Sequence, residues 1–480
     1  MKNQYNQVNM FTIRMTIILA MLISSIHTIA QEQVNLNFIE AVNRVLARNP
    51  NLASAEASLE ASRANIAIAK SNYLPGLNIL GSLSQSKEAT FSQTAGVIPS
   101  SSALVGASLS QMVYNETYVA NTKIQKYLFA SDEELYRNTR NTTISAAGMS
   151  YIGLLFAIDL LEVQQENILI TEQNLLASKD RLEVGSTDMQ EVLRWELQFF
   201  SDRQAIESQK AAVIIRRGSL NQLLNDPIET KVYPEKMTLK NNGFIFSSEV
   251  VAALANDESK ALIIRDYMVE LGLANSPELA SYDQQLLAQD RQLKADKRWA
   301  IPTFNFDAST NAKFALNEED TEATDSDQGF WKFGITMLYP LVDGGANIKR
   351  VKQSKIQLSA MELQRNDLRN SIEQSIRASM AVVISDFLNI GFAAEQAEAA
   401  HKNYKLVYEA YYVGESSLLD LLDAQNQKLV ADISSRVVLY TFFDDLLAVE
   451  QEIGFFPFQE SEENVKEVIE ELERRLLELP

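Results

Sequence analysis

The 480-residue sequence contains no cysteine and only two histidines, His27 and His401. Without thiols there is neither a disulfide framework nor a thiolate metal site, and the absence suits a compartment where free thiols would oxidise. Two histidines cannot build a His cluster, so no metal site of that kind is expected. There is no Gly-rich phosphate loop ending in Gly-Lys-Ser/Thr and no Gly-x-Ser-x-Gly elbow. A hydrolase therefore lacks its nucleophile and its metal set; the chain reads as a non-enzyme that needs no cofactor. Glycine is sparse at 17 residues, and the hydrophobic share is an ordinary 46%, which excludes a polytopic helical membrane protein and a disordered one. Positive charge is also short: the net formal charge is −20, so nucleic acid is not expected as a partner.

What is present begins with a leader. Lys2 and Arg14 precede an apolar run from Thr16 to Ile26, and Thr28-Ile29-Ala30 supplies a small-x-small cleavage site before polar Gln31-Glu32-Gln33. That is the pattern of a secretory signal peptide over residues 1–30. The alternative, a retained anchor, needs a run of ~20 apolar residues. No Cys follows the cleavage site to carry a lipid. Removing the leader takes away two bases and no acids, which moves the charge from −20 to −22.

Two similar turns organise the remainder. Val184-Gly185-Ser186-Thr187-Asp188 and Val413-Gly414-Glu415-Ser416-Ser417 share Val-Gly, an acid six residues after the glycine (Glu191, Asp420) and a Leu two residues beyond it. Glycine supplies the positive φ that ends one helix, and the following Ser, Thr or Asp can cap the next. Each stretch therefore reads as the tip of a helical hairpin. The tips are 229 residues apart, and other matches keep nearly the same shift: Asn49-Pro50 with Ser276-Pro277, and Tyr73-Leu74-Pro75 with Ala300-Ile301-Pro302. An ordered series of this kind is an internal repeat. The expected organisation is a first repeat over 31–225, a spacer over 226–270 containing Pro227 and Pro234, a second repeat over 271–455, and an acidic amphipathic helix over 456–480.

Within each repeat, helical spacing ends at Pro75 or Pro302, since the residue before proline avoids the α region. The period then changes to two. Leu77, Ile79, Gly81 and Leu83 alternate with mostly polar neighbours, as do Phe304 and Phe306 with Asn305 and Asp307. Strands are expected at about 74–86, 103–113, 302–310 and 330–341, with Trp331, Phe333, Ile335, Met337 and Tyr339 on one face of the last. The connecting stretches, Ser86–Ser102 and the acid-rich one holding Glu318 to Asp327, read as exposed polar loops. Long helices follow. Between Tyr118 and Leu182 there is no proline, and Ala147, Leu154, Leu161, Ile168, Leu175 and Leu182 recur every seven residues, the spacing of coiled-coil packing. Some 65 residues at 1.5 Å each make a helix of roughly 100 Å. The second repeat predicts the same from about Asn347 to Tyr412.

Four short strands cannot close a barrel, and open edges are not tolerated in lipid. Either the strands form a small soluble sheet or several chains share one barrel. A secreted location, aromatic strand faces and polar loops on one side favour sharing, with three chains and twelve strands leaving a lumen. The signal peptide, the two repeats, and the segment Tyr411-Tyr412-Val413-Gly414 to Leu419-Asp420-Leu421-Leu422-Asp423-Ala424 resemble the TolC-type outer-membrane channel family over nearly all of residues 37–455. The resemblance implies a mainly α homotrimer whose twelve-stranded β-barrel in outer-membrane lipid continues into a coiled-coil helical barrel in the periplasm. It also implies passive export of solutes or proteins, coupled through a periplasmic adaptor to an inner-membrane pump. A secreted coiled-coil scaffold with a small β cap is the other class the residues allow.

Asp420 and Asp423 lie three apart, on one helical face. A threefold assembly would bring six such carboxylates near one axis, and Glu191 would add three; such rings attract cations and repel anions. Read by themselves, these acids equally complement the positive end of a helix dipole. The resemblance implies that Glu191, Tyr411, Asp420 and Asp423 form the periplasmic gate. Where the family has a latch arginine, two residues after the tip glycine, this chain has Ser416; Arg194 is a substitute partner for Asp420 or Asp423. Val184, Gly185, Ser186, Val413, Gly414 and Glu415 are expected to touch the adaptor, and Trp331, Phe333 and Tyr339 to face the lipid interface.

Overall fold

The computed structural model describes residues 34–85, 90–92, 96–98, 101–239, 244, 257–315 and 329–477. The expected signal peptide, most of the loop 86–102, the acid-rich loop after Ala315 and part of the spacer lie outside the described residues. In chain order the elements are β1 (Val34–Leu36), α1 (Phe38–Arg48), α2 (Pro50–Ser71), β2 (Gly76–Gln85), β3 (Thr90–Ser92), β4 (Gly96–Ile98), β5 (Ser101–Tyr114), α3 (Glu116–Glu183) and α4 (Met189–Leu224). There follow β6 (Val232–Pro234), α5 (Glu258–Asn275), α6 (Pro277–Lys297), β7 (Thr303–Ala315), β8 (Phe330–Leu338), α7 (Ala346–Tyr412), α8 (Leu418–Ile453), a short 3₁₀ turn (Pro457–Gln459) and α9 (Glu462–Leu477). The chain is mostly helical with a small β part. Helices α3 and α7 reach 68 and 67 residues because neither contains a proline to interrupt the backbone ladder.

Helices α2 and α6 end at Ser71 and Lys297, ahead of Pro75 and Pro302. Tight turns fill the gap: Tyr73 N donates to Lys70 O at 3.0 Å and Leu74 N to Ser71 O at 2.9 Å, while Arg298 N donates to Ala295 O and Ile301 N to Arg298 O. The helix unwinds through i→i+3 bonds before it reaches the residue that proline restricts.

The chain divides into two compact units. One, made of residues 50–145, 244–387 and 445–480, holds an antiparallel sheet in the order β2-β5-β7-β8. The β5–β7 register shifts between Met112 and Tyr114. Strands β2 and β8 are its edges, and every residue of both is exposed. Alternation sets two chemically different faces. Trp331 and Phe333 stack at 5.7 Å between ring centroids, whereas Asn305 donates to Ser110 at 3.0 Å and Ser110 to Asp307 at 2.9 Å. Tyr339 lies just past the end of β8. Where β5 passes into α3, buried Glu116 accepts from Arg291 at 2.7 Å, from Arg298 at 3.3 Å and from Tyr114 at 2.9 Å, which fixes the strand-to-helix turn. Helix α9 docks on α5 through Arg475, which donates to Glu270 at 2.7 Å and lies 4.5 Å over the Tyr267 ring.

The other unit comprises residues 34–49, 146–243 and 388–444 of the described chain. Strand β1 pairs in parallel with β6, and the Tyr151 hydroxyl, on α3, lies 2.9 Å from the carbonyls of Leu36 and Glu235. Of the heptad positions of α3, Ala147, Leu154 and Leu175 are buried and Leu161, Ile168 and Leu182 half-buried. The seam packs against α4 and α8, whose Trp195, Leu220, Phe442 and Phe443 are fully buried.

Candidate functional site at the hairpin tips

Both tips close by the same backbone device. Gly185 has φ +73° and Gly414 φ +81°. Ser186 N donates to Arg181 O at 2.8 Å and Gly185 N to Leu182 O at 3.0 Å; Glu415 N donates to Ala410 O at 2.9 Å and Gly414 N to Tyr411 O at 3.1 Å. These paired bonds form the Schellman motif, which needs a left-handed residue at the glycine position. Val184 and Val413 are 78% and 72% exposed, and Ser186 and Glu415 stand open to solvent beside them.

The next helix starts differently at each tip. In the first, Asp188 caps α4 by accepting from Glu191 N at 3.0 Å. In the second, Asp420 N donates to Ser417 Oγ at 3.2 Å, while the Asp420 carboxylate accepts from Ser417 N at 3.0 Å and Ser417 Oγ at 2.7 Å, a reciprocal capping box. Ser416 Oγ adds a bond at 3.3 Å. The Ser417 hydroxyl, then its backbone N–H, hold the Asp420 carboxyl below the usual range. Asp423 accepts from Gln427 at 2.6 Å. Both aspartates are exposed, while Leu421, Ala424 and Gln425 on the other side of α8 are buried.

Glu191 and Tyr411 meet through a residue the sequence reading missed. Arg181, in the last turn of α3, donates to the Glu191 carboxylate and to the Tyr411 hydroxyl. Its guanidinium lies 4.7 Å from the Tyr411 ring centroid and 5.4 Å from that of Tyr412. Thr187 donates to the other Glu191 oxygen. The node is largely withdrawn from water, with side-chain exposures of 26% for Arg181 and 12% for Glu191. Burial, with Glu191 beside it, pushes the Tyr411 hydroxyl up to about 12. Beneath lies an apolar layer of Leu175, Val192, Trp195, Tyr411 and Leu421. The available signal was position: Arg181 stands four residues ahead of Gly185, where a cation complements a helix C-terminus.

Arg194 does not take the part suggested for it. It lines a shallow groove with Thr187, Glu191, Ser417 and Leu419 and forms no ion pair with Asp420 or Asp423 among the described residues. Three residues past Glu191, it shares that face of α4 and the same groove. The aromatic residues Trp331, Phe333 and Tyr339 belong to the sheet unit, where they are 73%, 67% and 46% exposed.

Long helical hairpins with matching glycine tips, carried by a chain that also supplies an edge-exposed antiparallel sheet, define a class of outer-membrane channel. The outer membrane efflux protein family profile matches residues 41–226 and 268–434, and the chain belongs to that family. It is an outer-membrane efflux channel, and the relatives below are channel proteins rather than enzymes. It is 23% identical over 418 residues to outer membrane efflux protein BepC of Brucella suis biovar 1 (strain 1330), covering 86% of this chain and 84% of that one. It is 22% identical over 448 residues to outer membrane protein TolC of Salmonella enteritidis, covering 91% and 85%. Among solved structures, CusC superposes with a TM-score of 0.70 at 14% identity, over 88% of this chain and 93% of that one. The open state of the Neisseria gonorrhoeae MtrE outer membrane channel gives 0.66 at 17% identity, over 87% and 89%.

Proposed function

We propose that three copies of this chain share one twelve-stranded barrel in the outer membrane, and that the helices continue it as a tunnel in the periplasm. The observation that carries this reading is the sheet: four strands of 10, 14, 13 and 9 residues, with the outer sides of its edge strands β2 and β8 unpaired among the described residues. Unpaired edges in hydrocarbon leave backbone groups without partners, so the strands must close on further copies. Two copies would give eight strands and a filled interior; three give a lumen. Exposed apolar residues at helical spacing, Leu193, Leu197 and Phe200 on α4 and Phe392 and Leu406 on α7, support neighbours along the helices as well. Trp331, Phe333 and Tyr339 then meet lipid.

In this reading the tunnel passes solutes or proteins without doing chemistry on them. An inner-membrane pump supplies the drive through a periplasmic adaptor seated on Val184, Gly185, Ser186, Val413, Gly414 and Glu415. The gate is at the tips: Arg181 ties Glu191 of the first hairpin to Tyr411 of the second, and Asp420 and Asp423 supply the carboxylate ring. The test is single-channel conductance in a planar bilayer, wild type beside Asp420→Ala/Asp423→Ala and Asp420→Asn/Asp423→Asn. The Asn pair can still accept from Ser417, so it separates charge from capping. Cation-selective pores that open further in both pairs are expected. Pores unchanged by either pair remove the gate assignment, and no pores from a membrane-inserted protein favour the coiled-coil scaffold.

A further inference from the structure

About two turns along α3 from Arg181, the packing between helices changes from apolar to polar. Asn167, Thr171 and Asn174 share one face of α3 and are 5%, 0% and 4% exposed; Asp202 on α4 and Gln425 on α8 are each 3% exposed. Gln425 is used at both ends. Its Nε2 donates to Thr171 Oγ1 at 2.7 Å and to Asn167 Oδ1 at 3.2 Å, and its Oε1 accepts from Asn174 at 3.4 Å. Thr171 passes the connection on, donating to Asp202 Oδ2 at 2.5 Å, while Asp202 Oδ1 accepts from Gln198 at 2.8 Å. Three helices are thus joined by one buried layer, to which α8 contributes Gln425.

We propose that Gln425 is a positioning residue that fixes α8 against α3 and confines opening of the tip to the turns beyond it. The proposal rests on the gate reading above. On the tip side of Gln425, Leu418, Leu421 and Leu422 meet Leu175, Leu182, Val192 and Trp195. Such contacts are non-directional, so helices can shift across them without losing a particular bond. The polar layer is directional. Displacing Gln425 takes the donor from the buried Asn167 Oδ1 and one hydrogen bond each from Asn174 and from the Thr171 hydroxyl that serves Asp202, and a buried group that loses its partner is costly. Asp420 and Asp423 lie on the movable side, the rest of α8 on the held side.

Hydrogen exchange by mass spectrometry on the purified full-length protein tests this, with bilayer conductance beside it. In wild type, amides of 418–424 are expected to exchange faster than those of 426–440. Gln425→Leu should carry fast exchange past 425, raising it at least tenfold over 426–440. Thr171→Val, which breaks the layer from α3, should do the same, and the double variant should add little. Equal acceleration throughout α3, α4 and α8 would mean general loosening and would overturn the proposal, as would exchange over 426–440 within twofold of wild type. Pores with an unmoved exchange border overturn the proposal and leave the channel standing. A moved border without pores keeps Gln425 as the residue that positions α8 and removes the channel reading.

Discussion

Replacing Arg181 by methionine would keep much of the side chain's apolar stem and delete its charge. The Glu191 carboxylate would retain Thr187 but lose its cation, and the buried Tyr411 hydroxyl would lose its donor. A hydrogen bond to a charged group contributes about 1.5–3 kcal/mol, and a cation over an aromatic ring about 0.5–1 kcal/mol at a partly exposed site. Because Arg181 keeps 26% of its side-chain surface in water, the sum for the node is roughly 2–4 kcal/mol. At 1.4 kcal/mol per factor of ten, local opening of the tip should rise from roughly 30-fold to several hundred-fold. Amide exchange over 411–421 reads that change directly, and single-channel conductance should rise with it. Arg181→Lys keeps the charge without the planar fork and should fall between the two. Arg181→Met and Glu191→Gln should combine with less than additive effect, since each removes the same contact. Exchange over 411–421 within twofold of wild type in Arg181→Met would refute the reasoning.

Burial pushes the Asp444 carboxyl up to about 6, with Arg216 pulling it back only in part, and its Oδ1 is buried without a hydrogen-bond partner among the described residues. The folded chain therefore binds this proton more tightly than the unfolded one, so the contribution is present at low pH and is lost as pH rises from about 4 through about 6. The loss is on the order of 3 kcal/mol; denaturation midpoints from pH 4 to 7 should show the gap between wild type and Asp444→Asn changing over that window, and a constant gap would contradict it. Gly185→Val with Gly414→Val forces a β-branched residue into positive φ at about 1–2 kcal/mol per site, with nothing among the described residues within 4 Å of either added Cβ. Heat-resistant oligomers on gels should persist while export is lost; lost assembly would give the glycines a folding role alone. At Gly272 an added Cβ would overlap Ile376 Cδ1 and lie 3.3 Å from Ile453 Cα. Gly272→Ala should lower the unfolding free energy by about 1–3 kcal/mol, read as a lower denaturation midpoint, and an unchanged midpoint would mean that Ile376 swings clear.

The mostly helical character, the small β part and the turn glycines were legible because each depends on neighbours along the chain. A proline-free heptad run favours a helix, alternation after Pro75 and Pro302 favours strands, and Val-Gly followed by a capping residue favours a tight reversal. Family membership was legible for the same reason, since it rests on the order of such local patterns. The helix ends were less so: i→i+3 turns compete with the helix over the last residues before each proline, and periodicity does not report which wins. The capping role of Asp420 was visible in its place near a helix start.

Arg181 and Gln425 lay beyond that reach. Arg181 meets Tyr411 across 230 residues of sequence, and Gln425 meets Thr171 across 254. Arginine and glutamine are common on helix surfaces, so nothing local marks these two as buried partners. By itself the amino-acid order determined which segments are helix, strand or turn, because hydrogen bonding and side-chain period act over a few residues. Only the tertiary structure decided which polar side chains meet in the interior, because withdrawal from water is a property of the helices packed around a residue.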